Sequence, residues 1–85
     1  MERVQPDQAE AKLRQIVRAA LELPPDADLT TVEQDRVESW DSLAHVSLML
    51  ALESEFAISI DLADQMRLTS YPAIRRYLEE RGALS

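Results

Sequence analysis

The sequence has no cysteine, only one glycine and only four aromatic residues among its 85 positions. Without cysteine, neither a disulfide framework nor a thiolate metal site can form. The single histidine, His45, has no second imidazole or thiol to join it, so we predict no metal site. The longest strictly apolar run is 48–52, which is too short to cross a bilayer, and the N-terminus lacks a basic head followed by an apolar stretch. We therefore expect a cytoplasmic protein with no membrane partner.

Basic residues are also few. Nine lysines and arginines stand against sixteen acidic residues, which gives a net charge of −7. A negative net charge disfavours nucleic acid as a partner, whereas it would attract basic surfaces on other proteins. The length predicts one domain, 1–85, and the 46% hydrophobic fraction can supply a modest core.

The spacing of apolar residues predicts an all-α protein with a long loop between its first two helices and a short third helix. The predicted helices are 7–22, 42–56, 61–66 and 71–81. The first should begin with Asp7 as N-cap and Glu10 completing a capping box, and it should end before Pro24. Its inward residues are predicted to be Leu13, Ile16, Val17 and Ala20.

The loop 24–41 shows no helical or strand periodicity, but apolar residues are spaced along it. Loops of this length are uncommon in small domains unless they are functional or disordered, and the spaced apolar residues favour packing over disorder. We expect Leu29, Val32, Val37 and Trp40 to anchor it. A short helical turn is expected from Thr31 to Gln34.

The second helix has apolar residues on two opposite sides. At 100° per residue one side holds His45, Leu48, Met49, Leu52 and Phe56. The other side, which we call the apolar ridge, consists of Leu43, Val46 and Leu50. A small core can cover only one side fully, so we predict that the longer side is buried and the apolar ridge is at least partly exposed. Burial of both sides, as in a central bundle helix, is the alternative.

The last two helices have clear start and stop signals. Asp61 can cap the third, with Leu62 and Met66 predicted to face inward. The fourth should follow Thr69 or Ser70, with Pro72 in its first turn and Gly82 as its stop. Its apolar face is predicted to be Ile74, Tyr77 and Leu78.

Ser42, at the junction of the long loop and the second helix, is the candidate site. The simplest interpretation is an N-cap, whose hydroxyl accepts a hydrogen bond from a first-turn N–H. A second is esterification by a phosphodiester, since a helix start offers free N–H groups and positive dipole potential to an anion. A third is a serine nucleophile with His45 and Asp41, but a helical domain of this size offers little concave space for an oxyanion hole and a substrate pocket.

The segment from Trp40 to about Tyr77 resembles the acyl carrier protein family. The likeness lies in Asp-Ser-Leu at 41–43, Leu-Ala-Leu-Glu at 50–53, Glu55 and Phe56, Ile58, Ile60, and the closing Tyr77 and Leu78. The tripeptide alone is weak, but its position at a loop-to-helix junction, followed by Ala-Leu-Glu-x-Glu-Phe, is a specific combination. The first helix agrees only in its pattern.

The resemblance implies a four-helix carrier-protein bundle with 4′-phosphopantetheine on Ser42. A phosphopantetheinyl transferase would transfer this group from coenzyme A in a magnesium-dependent step, so the chain would be a phosphoprotein and not an enzyme. An acyl-loading ligase or transferase and downstream enzymes of lipid or secondary-metabolite biosynthesis would use the thioester on the arm. The resemblance also implies that Asp41 supports the loop and contacts the transferase, and that the carrier is a monomer.

The apolar ridge would be the partner-binding surface of such a carrier, with Glu53 continuing it and Glu55 as a further acidic contact. Departures from the family pattern concern the pathway. Fatty-acid carriers usually have a glycine where this chain has Ser39, and acidic residues where it has Ala44, His45 and Ser47. Together with Trp40, these differences indicate a specialised carrier. The alternative is an unmodified acidic adaptor that binds a protein through the apolar ridge, with Ser42 only a cap.

Overall fold

The computed structural model describes the backbone of residues 6–84 and the side chains of residues 8–84. These residues form four α-helices and two single turns of 3₁₀ helix, and no strand. The helices are Pro6–Leu21 (α1), Ser42–Phe56 (α2), Leu62–Arg67 (α3) and Tyr71–Glu80 (α4), and the turns are Leu29–Thr31 and Gln34–Arg36. The predicted all-α class, long loop and short third helix are confirmed. No helix in this part of the chain is long and apolar enough to cross a membrane.

The core is built from one face each of α1, α2 and α4. On α1, a residue every four positions is buried, and α2 presents its longer apolar side, as predicted. The buried residues of the three helices are Ala9, Leu13, Val17, Leu21, Leu48, Met49, Leu52, Tyr71, Ile74 and Leu78. Within its own six residues α3 contributes no buried side chain, so it lies on the outside of the bundle.

The described part of α1 already includes Pro6 and Asp7. Asp7, predicted as the N-cap, therefore lies inside the helix. The side chain of Asp7 lies outside the described residues. The Glu10 carboxylate, predicted to complete a capping box, binds Arg75 and Arg14 instead.

Three helices end in the same way although the chain has one glycine. Glu22, Ala57 and Gly82 follow α1, α2 and α4 with φ of 56°, 55° and 76°. After each, the next amide bonds back to a carbonyl five residues earlier, as in Leu23 to Arg18 at 2.9 Å, which satisfies carbonyls that the helix leaves free. Glu22 and Ala57 adopt this left-handed conformation with a Cβ, at a strain of about 1 kcal/mol each. Gly82 is the helix stop that the sequence predicts.

The long loop is ordered by its apolar residues. Leu29, Val32 and Trp40 are buried and Val37 is partly buried against the core, so the four predicted anchors are confirmed. The Ser39 hydroxyl adds a hydrogen bond to the Leu21 carbonyl at 2.5 Å. The loop therefore enters α2 from a fixed position.

The turn predicted from Thr31 to Gln34 is wrong in its position. Two 3₁₀ turns lie on either side of an extended pair, Val32 and Glu33, which runs antiparallel to the segment before α4. The Gln34 amide donates to Thr69 at 2.8 Å and the Tyr71 amide donates to Val32 at 3.0 Å. These hydrogen bonds hold Val32 and Glu33 extended and exclude a helical turn there.

The predicted orientation of α3 is also wrong. Leu62 and Met66 were expected inside, but each is 71% exposed. Polar contacts attach α3 instead: the Gln65 carbonyl binds His45, and the Asp64 carboxylate accepts from Tyr77 and Arg81. Because those polar groups face the bundle, the apolar side of this short helix faces outward.

An ion pair joins α1 to α4. Arg75 binds Glu10 through two nitrogens, at 2.9 and 3.1 Å, and also pairs with Glu79 at 2.7 Å. The hydrogen bond from Arg75 lowers the pKa of Glu10 below its ordinary value of 4.5, against a smaller opposing effect of burial. The bidentate geometry is the favourable one for a carboxylate and a guanidinium.

Replacing Glu10 with Gln should therefore lower the free energy of unfolding by about 0.5–1 kcal/mol at neutral pH, since both side chains keep some solvent contact. A lowered carboxylate pKa contributes stability that is complete above pH 4.5 and is lost as the pH falls through the folded-state value. The difference between wild type and Glu10→Gln, measured by urea unfolding, should thus shrink below about pH 4.5.

Glu55→Gln is the matched control, because it breaks the more exposed Lys12–Glu55 pair between α1 and α2. It should cost less at neutral pH. An equal cost for the two variants, or a Glu10→Gln effect that does not change with pH, would contradict this account of the pair.

Candidate functional site

Ser42 is the first residue of α2, and its side chain is exposed. It is not the cap. Asp41 is the N-cap residue, and its carboxylate accepts a hydrogen bond from the Ala44 amide at 2.9 Å. The Ser42 hydroxyl makes no hydrogen bond to any described residue. The simplest prediction for Ser42, a capping role, is therefore wrong, because the preceding aspartate already occupies that position.

The same geometry leaves two backbone donors beside the hydroxyl. The Ala44 amide is taken by the Asp41 side chain and the His45 amide by the Asp41 carbonyl. Within the described residues, the amides of Ser42 and Leu43 have no acceptor. They lie at the positive end of a fifteen-residue helix, where a negative group bonded to Ser42 is locally favoured. The start of α2 thus fits a phosphodiester on this serine.

Trp40 fixes the approach to this site. It is 2% exposed, and its indole N–H donates to Nδ1 of His45 at 3.0 Å. Since indole is a donor only, His45 Nδ1 is the acceptor and Nε2 has the proton. Nε2 then donates to the Gln65 carbonyl at 2.8 Å. These two hydrogen bonds join the loop end to α2 and α3. Trp40 is two residues before Ser42 and His45 is three residues after it.

These contacts also bear on a serine nucleophile. Both nitrogens of His45 are occupied by Trp40 and Gln65, and neither is bonded to Ser42. The Asp41 carboxylate binds the Ala44 amide and not the imidazole. The three side chains are neighbours, but they are not arranged as a nucleophile, base and orienting acid.

Apolar side chains are exposed around α2 and α3. The apolar ridge is in the open, with Leu43 76%, Val46 50% and Leu50 59% exposed, as predicted. Leu62 and Met66 of α3 add two more exposed side chains. The hydrogen bond between His45 and the Gln65 carbonyl holds the two helices together. A contiguous exposed apolar patch, such as the apolar ridge, is typical of a protein-binding surface.

The two glutamates predicted near this surface have internal partners. The Glu53 carboxylate accepts a hydrogen bond from the Ile60 amide at 2.8 Å, and Glu55 pairs with Lys12 at 3.0 Å. Glu53 is only partly exposed. Its hydrogen bond holds the 57–60 connection against α2.

The sequence did not predict the hydrogen bonds of His45. It placed His45 on the side of α2 predicted to be buried. Trp40 is five positions away across a loop-to-helix junction and Gln65 is twenty away, so no periodicity relates these residues. Among residues 6–84, no group of three or more potential ligands could hold a metal ion.

Comparisons with models of protein families, with curated proteins and with solved structures found no match. The residues from Trp40 to Tyr77 and their arrangement are thus the basis for any functional proposal.

The capping roles can be separated by mutation. Asp41→Ala should lower the free energy of unfolding by about 1 kcal/mol, because it removes the acceptor of the Ala44 amide. Ser42→Ala should change it by less than about 0.5 kcal/mol, as at an ordinary surface position. Urea unfolding of both variants measures this. Asp41→Asn, which can still accept, is the control, and a Ser42→Ala cost as large as that of Asp41→Ala would contradict the assignment.

Proposed function

We propose that this protein is an acyl carrier protein, which holds an acyl or aminoacyl group as a thioester on a 4′-phosphopantetheine arm attached to Ser42. The observation on which the proposal depends most is the state of the Ser42 hydroxyl. It is exposed, it stands at the first position of α2, and Asp41 performs the capping that would otherwise engage it. When attached, the arm supplies a terminal thiol for the acyl group.

The residues of the chain would position and expose the arm. Asp41 caps α2 and leaves the amides of Ser42 and Leu43 without an acceptor in the described chain, while the Trp40–His45 hydrogen bond holds the loop end. Tethering gives the attached group a high effective concentration at whichever enzyme the carrier contacts. A flexible arm on a fixed helix start suits this role.

The proposed carrier would need enzymes that attach and load its arm. A phosphopantetheinyl transferase would modify Ser42, and a ligase or acyltransferase would then load the thiol. The net charge of −7 favours basic partner surfaces. Because Ser39, Ala44 and Ser47 depart from the fatty-acid pattern, we propose a specialised pathway, and a monomer in the cytoplasm, where a chain without cysteine is suited to a reducing environment.

Direct modification tests this function. The full chain is incubated with coenzyme A, Mg²⁺ and a broad-specificity phosphopantetheinyl transferase, and its intact mass is measured. Wild type should gain the mass of one phosphopantetheinyl group, and Ser42→Ala should gain none. Ser47→Ala, which removes another exposed serine of α2, should be modified like wild type. No added mass on wild type, or addition that survives Ser42→Ala, would remove the carrier function.

An unmodified adaptor that binds a protein through the apolar ridge is the second candidate. The observation that favours it is the exposure of Leu43, Val46 and Leu50, which does not depend on modification. Such an adaptor would share the fold and the acidity but would not be a substrate of the transferase. The mass experiment therefore distinguishes the two.

For the carrier, the apolar ridge should matter after the arm is attached. Val46→Glu should leave transferase modification near the wild-type rate and lower kcat/KM for acylation of the loaded carrier by the first ligase or transferase found to charge it. A loss of about tenfold is expected, because a carboxylate would be desolvated where Val46 makes an apolar contact.

Ala19→Glu adds the same charge on an exposed position of α1 and should leave both steps unchanged. Because added negative charge strengthens attraction to a basic partner, a loss in Val46→Glu alone reflects the contact and not the field. Unchanged acylation of Val46→Glu would exclude the apolar ridge as the docking surface.

A further inference from the structure

A cleft with two unsatisfied buried polar groups lies between α1, the first 3₁₀ turn and the start of α4. Its volume is about 260 Å³, and no residue of α2 lines it. The lining residues that matter chemically are Glu10, Arg14, Arg18, Asp28, Thr30 and Tyr71. It is therefore distinct from the site at Ser42.

Tyr71 is the first of the unsatisfied groups. Its side chain is in the core, the residue is 4% exposed, and its hydroxyl has no hydrogen-bond partner among the described residues. Burial raises the pKa of Tyr71, and the nearby Arg14 guanidinium opposes that rise in part. The hydroxyl is therefore a neutral donor at physiological pH, and nothing in the described structure accepts its proton.

Arg18 is the second unsatisfied group. Its Nε is buried without a partner, and its one hydrogen bond, from Nη2 to the Ala27 carbonyl, is long at 3.4 Å. No carboxylate in the described part of the chain pairs with it. A guanidinium with a buried and unpaired N–H is unfavourable, because the group has lost water without gaining an acceptor.

The two acidic residues of the cleft, Glu10 and Asp28, do not accept hydrogen bonds from Arg18 Nε or the Tyr71 hydroxyl. Glu10 is occupied by Arg75 and Arg14, and Asp28 accepts from both the amide and the hydroxyl of Thr30, at 3.0 and 2.6 Å. Both Glu10 oxygens accept from arginines, whereas the two bonds to Asp28 are both accepted by Oδ1. Both donors, Arg18 Nε and the Tyr71 hydroxyl, thus lack an acceptor in the described part of the chain.

We infer that this cleft binds a small oxyanion, a carboxylate or a phosphate group, held by Arg18 Nε and the Tyr71 hydroxyl. An oxyanion supplies acceptors to both donors and a charge to the unpaired guanidinium, and planar guanidinium groups match carboxylate and phosphate geometry. A single water fills about 30 Å³ and brings no charge, so it would satisfy the hydrogen bonds and leave Arg18 unpaired.

The test uses inorganic phosphate and acetate as probes, with sodium chloride at the same ionic strength as the reference. Amide and Arg side-chain NMR signals around Arg18, Thr30 and Tyr71 are followed with the full chain. Phosphate, acetate or both should give a saturable shift at these residues, with half-saturation at about 1–10 mM. Response to one probe alone identifies which oxyanion the cleft prefers. An absence of saturable shifts up to tens of millimolar, or the same shifts with chloride, would overturn the inference.

Two variants separate binding from folding. Tyr71→Phe keeps the ring and removes only the hydroxyl, and Arg18→Gln removes the charge. Each should weaken binding by about tenfold or more, since each deletes a hydrogen bond to an ionised ligand. Arg76→Gln, which removes an exposed arginine of α4 that pairs with no described carboxylate, should bind like wild type.

Ligand-free Tyr71→Phe should be at least as stable as wild type in urea unfolding, because the hydroxyl has no acceptor to lose. A clear loss of stability in this variant would mean that the hydroxyl already has a protein partner, and would overturn the inference. Binding that is unchanged in both Tyr71→Phe and Arg18→Gln would do the same.

Discussion

The arrangement of this protein depends on one constraint: α2 has apolar side chains on two opposite sides, and the core covers only one. Leu48, Met49 and Leu52 are buried, so Leu43, Val46 and Leu50 are left in solvent. Burial of apolar surface contributes about 25 cal/mol per Å² and so favours the longer side, while the residues of the apolar ridge are each at least half exposed. One side of α2 is thus held in the core while the other stays exposed to solvent.

Helix α3 is attached to α2 through His45. His45 lies at the edge of that side, where its imidazole accepts from Trp40 and donates to the Gln65 carbonyl. Gln65 in turn donates to the Ile60 carbonyl, and the Ile60 amide donates to Glu53. Hydrogen bonds therefore hold α3 in place, whereas the other helices are held by apolar packing. This leaves Leu62 and Met66 exposed.

The features that were predicted correctly depend on residues close in sequence. The bounds of α2, the cap at Asp61, the anchors of the loop and the stop at Gly82 are set by periodicity, capping chemistry and backbone conformation. The failures concern contacts between distant residues. Six residues of α3 contain too few turns for periodicity to fix the inward side, and the pairing of Glu33 with Ser70 joins segments that no sequence pattern relates.

Ser42 illustrates the difference at a single position. The sequence suggested Ser42 as the cap of α2, since serine accepts from a first-turn amide. In the structure the Asp41 carboxylate accepts from the Ala44 amide instead, so the Ser42 hydroxyl has no capping role. An ester at a capping serine would be formed on the oxygen that caps the helix. Under the proposed function, a group on Ser42 would instead leave the Asp41 cap intact, because the cap and the proposed attachment point are adjacent side chains.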